Sequence, residues 1–396
     1  VGAVSPREDR RQIGYLAATE AVKTALVHSE EWRRFDYGPE HPLRMERLGL
    51  TWRLMEAYGL TSGPKLKVVT PEPASIDAIT RFHSRDYIEI LRAVSAGDRV
   101  PHAARYGLGA GDNPIFPGLW EAAELVAGGS ILAAQLVLDN EAARAFHFAG
   151  GLHHAMPERA SGFCYVNDAV LAIMELRRRD WKVAYVDIDA HHGDGVQFAF
   201  YADPRVLTIS SHERGDRLFP GTGFVEEMGE GEGIGYSVNL PLQPYTDDAV
   251  YEPAFEAVVP PLLRAFEPDV VVLQLGIDSH RTDPLTHLAW SVQGFTKIVS
   301  RLLELSPRVV ALGGGGYDLP NVARAWTAAW AAMNGAELAA EIPRACHKDL
   351  SAHGLKSMRL WDPPLDLPAD TRQWAEEYAM RQVKAIREHI FPLHGL

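Results

Sequence analysis

Cysteine is nearly absent from this chain of 396 residues: Cys164 and Cys346 are its two thiols, and neither belongs to a CxxC pair. So few cysteines make neither a disulfide framework nor a thiolate zinc site, and a reducing cytosol is the expected compartment. Long apolar runs are also missing. The longest, such as Asp269–Gly276, are strand-sized, so no membrane span is expected. The N-terminus shows no signal-peptide pattern, which again points to a cytoplasmic protein. There is no long lysine or arginine run, and the formal net charge is −13. Phosphate backbones need a basic surface, so nucleic acid is not an expected partner. An acidic field favours cationic substrates such as a lysine-rich peptide or a polyamine. No GxxxxGK[ST] occurs, which excludes a P-loop. No internal repeat or low-complexity tract is found.

The remaining composition is that of a soluble globular protein, 46% hydrophobic and 23% charged. Residues 1–22 are mixed and charged and read as an N-terminal extension. Strand-like runs follow at Thr24–His28, Leu66–Val69, Ala145–Phe148, Val183–Ile188, Val206–Ser210, Tyr236–Leu240, Asp269–Leu275 and Arg308–Leu312. Helical patterns fill most of the gaps, notably 119–138, 167–179, 248–266, 291–305 and 320–333. This alternation predicts a single α/β domain over residues 23–335, with roughly eight mostly parallel strands and helices on both faces. Residues 97–118 are Gly-, Pro- and Asp-rich and too long for a plain connector, so they are a candidate functional loop. Residues 336–396 read as a helical tail packed on the same domain.

In such sheets, ligands sit at the carboxyl ends of the strands. The sequence concentrates its chemistry there. Gly150–His154 follows one strand and Tyr185–Gly195 ends another. Ser210–His212, Gly276–Asp278 and Gly313–Tyr317 end three more. In an extended chain, Asp187, Asp189 and His191 point the same way. Buried carboxylates beside an imidazole need a compensating charge, and a divalent cation is the simplest one. Asp189, His191 and Asp278 make a three-ligand site with an open position, which suits Zn²⁺ and also Fe²⁺ or Mn²⁺. His153 and His154 are either further ligands or an acid and a base, with Asp187 and Asp194 as carboxylate partners. Tyr317, after four glycines, either donates to a developing oxyanion or simply packs under the turn. Phe163 and Phe219 sit in loops, where they either wall a channel or anchor the loop.

These motifs resemble those of the zinc-dependent histone deacetylases and their bacterial relatives, the acetoin utilization proteins, within the arginase/deacetylase fold. The resemblance runs through Gly150-Gly-Leu-His-His-Ala155, Gly162-Phe-Cys-Tyr-Val-Asn-Asp168, Asp187-Ile-Asp-Ala-His-His-Gly-Asp-Gly195, Phe219-Pro-Gly-Thr-Gly223, Leu275-Gly-Ile-Asp278 and Gly313-Gly-Gly-Gly-Tyr317, in family order and spacing. It implies Zn²⁺ on Asp189, His191 and Asp278. It implies paired histidines His153 and His154, backed by Asp187 and Asp194, and a carbonyl-polarising Tyr317. By the same likeness Gly162, Phe163 and Phe219 flank an acetyl-lysine tunnel, Leu285 stands near its mouth, and Asp112 holds the substrate backbone at the rim. It further implies structural K⁺ or Na⁺, one ion at Asp187, Asp189, His191, Ser210 and Ser211, a second at Phe200, Asp203, Val206 and Tyr236. The chain departs from the family in a rim loop one residue longer before Asp112 and in the highly charged Glu213-Arg-Gly-Asp-Arg217.

The expected activity is removal of acetyl groups from lysine side chains of proteins, with an acetylated protein or peptide as partner. A metabolic enzyme such as an acyl-CoA synthetase is a plausible target. An acetylpolyamine deacetylase uses the same chemistry, but the chain shows no long insertion to narrow the entrance. A binuclear manganese ureohydrolase would need more Asp and His ligands. A non-catalytic acyl-lysine binder would have no use for the intact histidines and Tyr317.

Overall fold

The structure is a computed structural model and describes residues 23–109 and 111–396; the predicted N-terminal extension lies outside the described residues. Its strands are β1 (Thr24–Val27), β2 (Leu66–Val69), β3 (Arg144–His147), β4 (Val183–Asp187), β5 (Val206–Glu213), β6 (Ser237–Leu242), β7 (Val270–Gln274) and β8 (Val309–Leu312). They form one eight-stranded sheet in the order β2-β1-β3-β8-β7-β4-β5-β6. Every pairing is parallel. Every residue of β4 through β8 is buried, so both faces of that part of the sheet are covered, as β-branched, non-alternating sequences require. The helices Leu119–Leu138 and Asp168–Leu176 pack on each other, the first also on β1, β3 and β8. A second group links Glu46–Ala57, Leu319–Asn334, Val292–Leu305 and Asp248–Phe266, and ends with the C-terminal helix Ala369–His389 against Asp248–Phe266 and β6.

Two sequence expectations need correction. The helix Leu119–Leu138 is long and apolar enough to cross a membrane by length and composition. Its apolar surface instead meets the sheet and the helix Asp168–Leu176, and most of its residues are buried. The strand expected over Val183–Ile188 stops at Asp187. There the Asp187 carboxylate accepts the Asp189 N–H at 3.1 Å, and this local turn competes with the ladder. Extended geometry therefore does not carry Asp187, Asp189 and His191 onto one side. Two helices after β2, Ile76–Ile79 and Arg85–Ser95, are each capped by a serine hydroxyl.

Buried histidines make the fold acid-sensitive. His83 accepts the Asn167 N–H at 3.0 Å, and His147 lies against the Ser130 hydroxyl at 2.9 Å. Burial lowers His83 to about 4, and burial aided by nearby His28 lowers His147 to about 3. In the unfolded chain both protonate near about 6.5. Between those values the unfolded state binds more protons, so stability falls as pH is lowered. From pH 7 to 5 the loss is about 2 kcal/mol for each histidine. Urea unfolding at the two pH values measures it. His83→Gln, which keeps an acceptor for Asn167, should remove its share, and an unchanged pH loss in that variant contradicts the assignment.

The C-terminal segment is tied in by Asp362. Its carboxylate accepts from Arg324 Nη2 at 2.7 Å and from the Val292 N–H at 2.8 Å, and lies 2.9 Å from His280 Nε2. Burial opposes its charge, but His280 and Arg324 outweigh burial and hold it well below the usual carboxylate range. Asp362→Ala leaves Arg324 buried without its carboxylate. We expect a loss of about 3 kcal/mol in denaturant unfolding. A change within 0.5 kcal/mol, the range of about ±0.5 kcal/mol typical of neutral surface sites, would contradict it.

Candidate metal centre and active site

The five adjacent strands β3, β8, β7, β4 and β5 deliver the polar groups to one end of the sheet. Asp189 and His191 lie in the turn after β4, and Asp278 follows β7. The two strands pair, with Asp187 opposite Gln274. One ligand atom each from Asp189, His191 and Asp278 lies within 4.8 Å of the others, and all three residues are buried. His191 Nδ1 stands 2.8 Å from Asp278 Oδ2 and 3.1 Å from Asp189 Oδ1. The two carboxylates outweigh burial and hold a positive charge on His191 well above its ordinary range. A position where two buried carboxylates favour positive charge, with oxygen and nitrogen donors converging, fits a divalent cation. The carboxylates are oriented by two backbone N–H groups and one side-chain amide. Gly315 N–H and Gln274 Nε2 donate to Asp189 Oδ2, each at 2.8 Å, and Ala190 N–H donates to Asp278 Oδ1 at 2.7 Å. Gly315 is needed for this approach: a Cβ there would stand 2.1 Å from Asp278 Oδ2.

Beside the triad stand the paired histidines. His153 Nδ1 lies 2.8 Å from Asp187 Oδ2, His154 Nδ1 lies 2.7 Å from Asp194 Oδ1, and the two Nε2 atoms are 3.0 Å apart. Asp187 thus serves His153 from below, bonded also to the Tyr185 hydroxyl at 2.6 Å, and is not among the clustered metal donors. Burial disfavours charge on both rings, but they part company. For His153, Asp187, Asp189 and Asp194 outweigh burial and raise it to about 9. For His154, burial and the charge on His153 prevail and lower it to about 4. Adjacent titratable groups pushed apart in this way take different proton-transfer roles.

Tyr317 closes the site from the end of β8, its ring edge-on to Phe163 at 5.7 Å. Burial pushes its phenol well above the ordinary range, so it is a donor at any physiological pH. One small cavity is lined by His153, His154, Asp189, His191, Tyr317 and Phe163, with Gly162 among the other residues. Phe219 is half-exposed and packs edge-on to His154 at 5.0 Å. A Cβ on Gly162 would fall 2.5 Å from the His154 ring and 2.8 Å from Phe219, so only glycine leaves this channel wall open. Further out, Asp112, Leu285 and Phe163 line one open cleft. Of the residues assigned by resemblance to monovalent cations, Ser210 Oγ lies 2.8 Å from His212 Nδ1, and Ser211 is buried beside it in β5. The carbonyls of Phe200, Asp203 and Tyr236 accept the N–H groups of Asp203, Val206 and Thr208.

Several residues at the site escaped the sequence reading. Arg47 is buried, and its Nη1 donates to the carbonyls of Gly314 at 2.8 Å and Gly316 at 3.1 Å, so it grips the glycine loop that carries Tyr317. No local pattern marks it, because the carbonyls it grips lie far along the chain. Asn167 caps its helix and donates to the carbonyls of His153 at 2.9 Å and Ala155 at 3.1 Å, which fixes the histidine loop. Asp283 accepts the N–H groups of Tyr317 at 2.8 Å and Leu285 at 2.9 Å; nothing local in the sequence announces that.

Comparison with known proteins adds a common pattern. Residues 41–333 match the family model described as histone deacetylase domain. The acetoin utilization protein AcuC of Bacillus subtilis is 39% identical over 81% of this chain and 84% of its own length. Human histone deacetylase 1 is 41% identical over 83% of this chain and 68% of its own. Among solved structures, an HDAC homologue from Aquifex aeolicus superposes with a TM-score of 0.82 at 32% identity, covering 90% of this chain and 100% of that one. An HDAC homologue complexed with SAHA gives 0.83 at 32% identity, covering 92% and 100%.

Proposed function

The chain belongs to the histone deacetylase family, and we propose that it is a zinc-dependent amidohydrolase that removes acetyl groups from lysine side chains of proteins. Asp189, His191 and Asp278 would hold the Zn²⁺, which when bound polarises a carbonyl and acidifies water. The chain's own residues do the rest. Gly162, Phe163 and Phe219 admit a thin aliphatic arm and exclude bulk water around it. Neutral His154, oriented by Asp194, takes a proton from the water that attacks the acetyl carbon, then gives it to the departing lysine amine as the C–N bond breaks. His153, kept cationic by Asp187, supplies positive charge without shuttling a proton. The Tyr317 phenol donates a hydrogen bond to the tetrahedral oxyanion. Asp112 receives the substrate backbone at the rim.

The observation that carries this reading is the single cavity shared by the His153–His154 pair, two of the three metal donors and Tyr317. A binder of acyl-lysine needs the channel but not two separately polarised histidines. The open cleft around Asp112 and Leu285 favours a peptide over a free polyamine. Likeness to an acetoin utilization protein makes a metabolic enzyme such as an acyl-CoA synthetase the first protein target to assay. Amine release from an acetyl-lysine peptide, N-acetylputrescine and N-acetylspermidine, measured side by side, tests the substrate class. Turnover of the peptide well above that of the amines is expected; turnover of the amines alone would transfer the enzyme to polyamines.

A further inference from the structure

At the mouth of the channel, three loops distant in sequence meet at one imidazole. His41 Nδ1 accepts the Leu43 N–H at 3.0 Å, which leaves the proton on Nε2. His41 Nε2 then donates to the backbone carbonyl of Asp112 at 3.2 Å. The His41 ring stands edge-on to Phe163, 4.5 Å between centroids at 73°. Its other side meets the Tyr37 ring at 4.8 Å, and the Tyr37 hydroxyl donates to the Phe163 carbonyl at 3.1 Å. The loop 36–43 thus bonds to the Asp112 segment through His41 and to the Phe163 segment through Tyr37. The Asp112 segment is held from below as well, where Asn113 Nδ2 donates to the Cys164 carbonyl at 3.4 Å and the Tyr165 hydroxyl donates to the Pro114 carbonyl. Tyr37, His41, Asp112, Phe163 and Leu285 line one cleft. A carboxylate that must meet a substrate backbone gains most when its own backbone is fixed beforehand.

We infer that His41 is a positioning residue for substrate, a clamp that holds the backbone of Asp112 in register with the channel wall at Phe163. The inference rests on the peptide-deacetylase reading above and goes beyond it, because His41 lines the outer cleft and not the cavity of His153, His154 and Tyr317. The clamp sets peptide capture and leaves the chemical step alone. His41→Gln retains a donor toward the Asp112 carbonyl, whereas His41→Asn retains only the acceptor for Leu43.

Two readouts test it on the full-length protein. Backbone amide exchange over residues 111–116 reports the clamp without any substrate. Exchange should quicken in His41→Ala and His41→Asn and return toward wild type in His41→Gln. Steady-state kinetics on an acetyl-lysine peptide should show KM raised about tenfold in His41→Ala, the value of one hydrogen bond, with kcat changed less than twofold. Combined with Asp112→Ala, His41→Ala should add nothing further to KM. Unchanged exchange in His41→Ala overturns the clamp, as does a KM effect that adds fully to that of Asp112→Ala. A wild-type enzyme that ignores acetyl peptides would defeat the substrate reading, and with it the role in peptide capture, while the exchange data still decide the clamp.

Discussion

Tyr317→Phe is expected to lower turnover of an acetyl-lysine peptide by about 10²- to 10³-fold, the effect of removing one oxyanion donor. Bound metal should stay at the wild-type level. The phenol is not one of the clustered metal donors. The main-chain tether from Tyr317 N–H to Asp283 survives the substitution, as does the edge contact with Phe163. The loop should therefore keep its shape. KM should move little, because the hydrogen bond strengthens only as charge develops on the carbonyl oxygen. Metal analysis and kcat on the same preparation check both halves. Retained turnover would remove Tyr317 from the chemistry. Lost metal would recast it as part of the metal site.

His154→Ala should lower kcat by about 10²- to 10⁴-fold, because the same ring serves as base for water and acid for the amine. The argument rests on asymmetry between the two histidines. Their Nε2 atoms are 3.0 Å apart, so they cannot both carry charge cheaply. The carboxylates around His153, closest of them Asp187 at 2.8 Å, settle the charge there and raise it to about 9. His154 is left neutral and able to accept a proton. His153→Ala should slow the enzyme but leave a proton carrier in place, so its kcat should exceed that of His154→Ala. Side-by-side kcat values at saturating peptide decide this. A His153→Ala enzyme slower than His154→Ala reverses the two roles.

Much of the architecture was legible because its signals are local. The helix Asp248–Phe266 coincides with the expected span 248–266 despite its internal Pro253, Pro260 and Pro261, because its apolar residues recur at helical spacing. The strand ends were legible because β-branched runs give way abruptly to Gly, Asp and His. The rule that ligands gather at the carboxyl ends of parallel strands brought Asp189 and Asp278 together, and the resemblance agreed with it. They lie far apart along the chain and meet because β4 pairs with β7, and strand order is written in no local pattern. The turn at Asp187 is hidden in the sequence because Ile188 is as β-prone as its neighbours; a side-chain hydrogen bond to the Asp189 N–H overrides that propensity. Arg47, Asp283 and His41 stayed invisible for a related reason. Each acts on backbone groups brought near only by folding: Gly314 and Gly316, Tyr317, and Asp112.

The most direct test is a metal titration of the stripped enzyme, followed by amine release from an acetyl-lysine peptide. The account predicts no turnover without metal and recovery in proportion to added Zn²⁺, complete at one ion per chain. Asp278→Asn, which leaves the cluster one carboxylate short, should fail to recover at the same concentration. Full peptide turnover by the metal-free protein, or a normal zinc titration by Asp278→Asn, would contradict it.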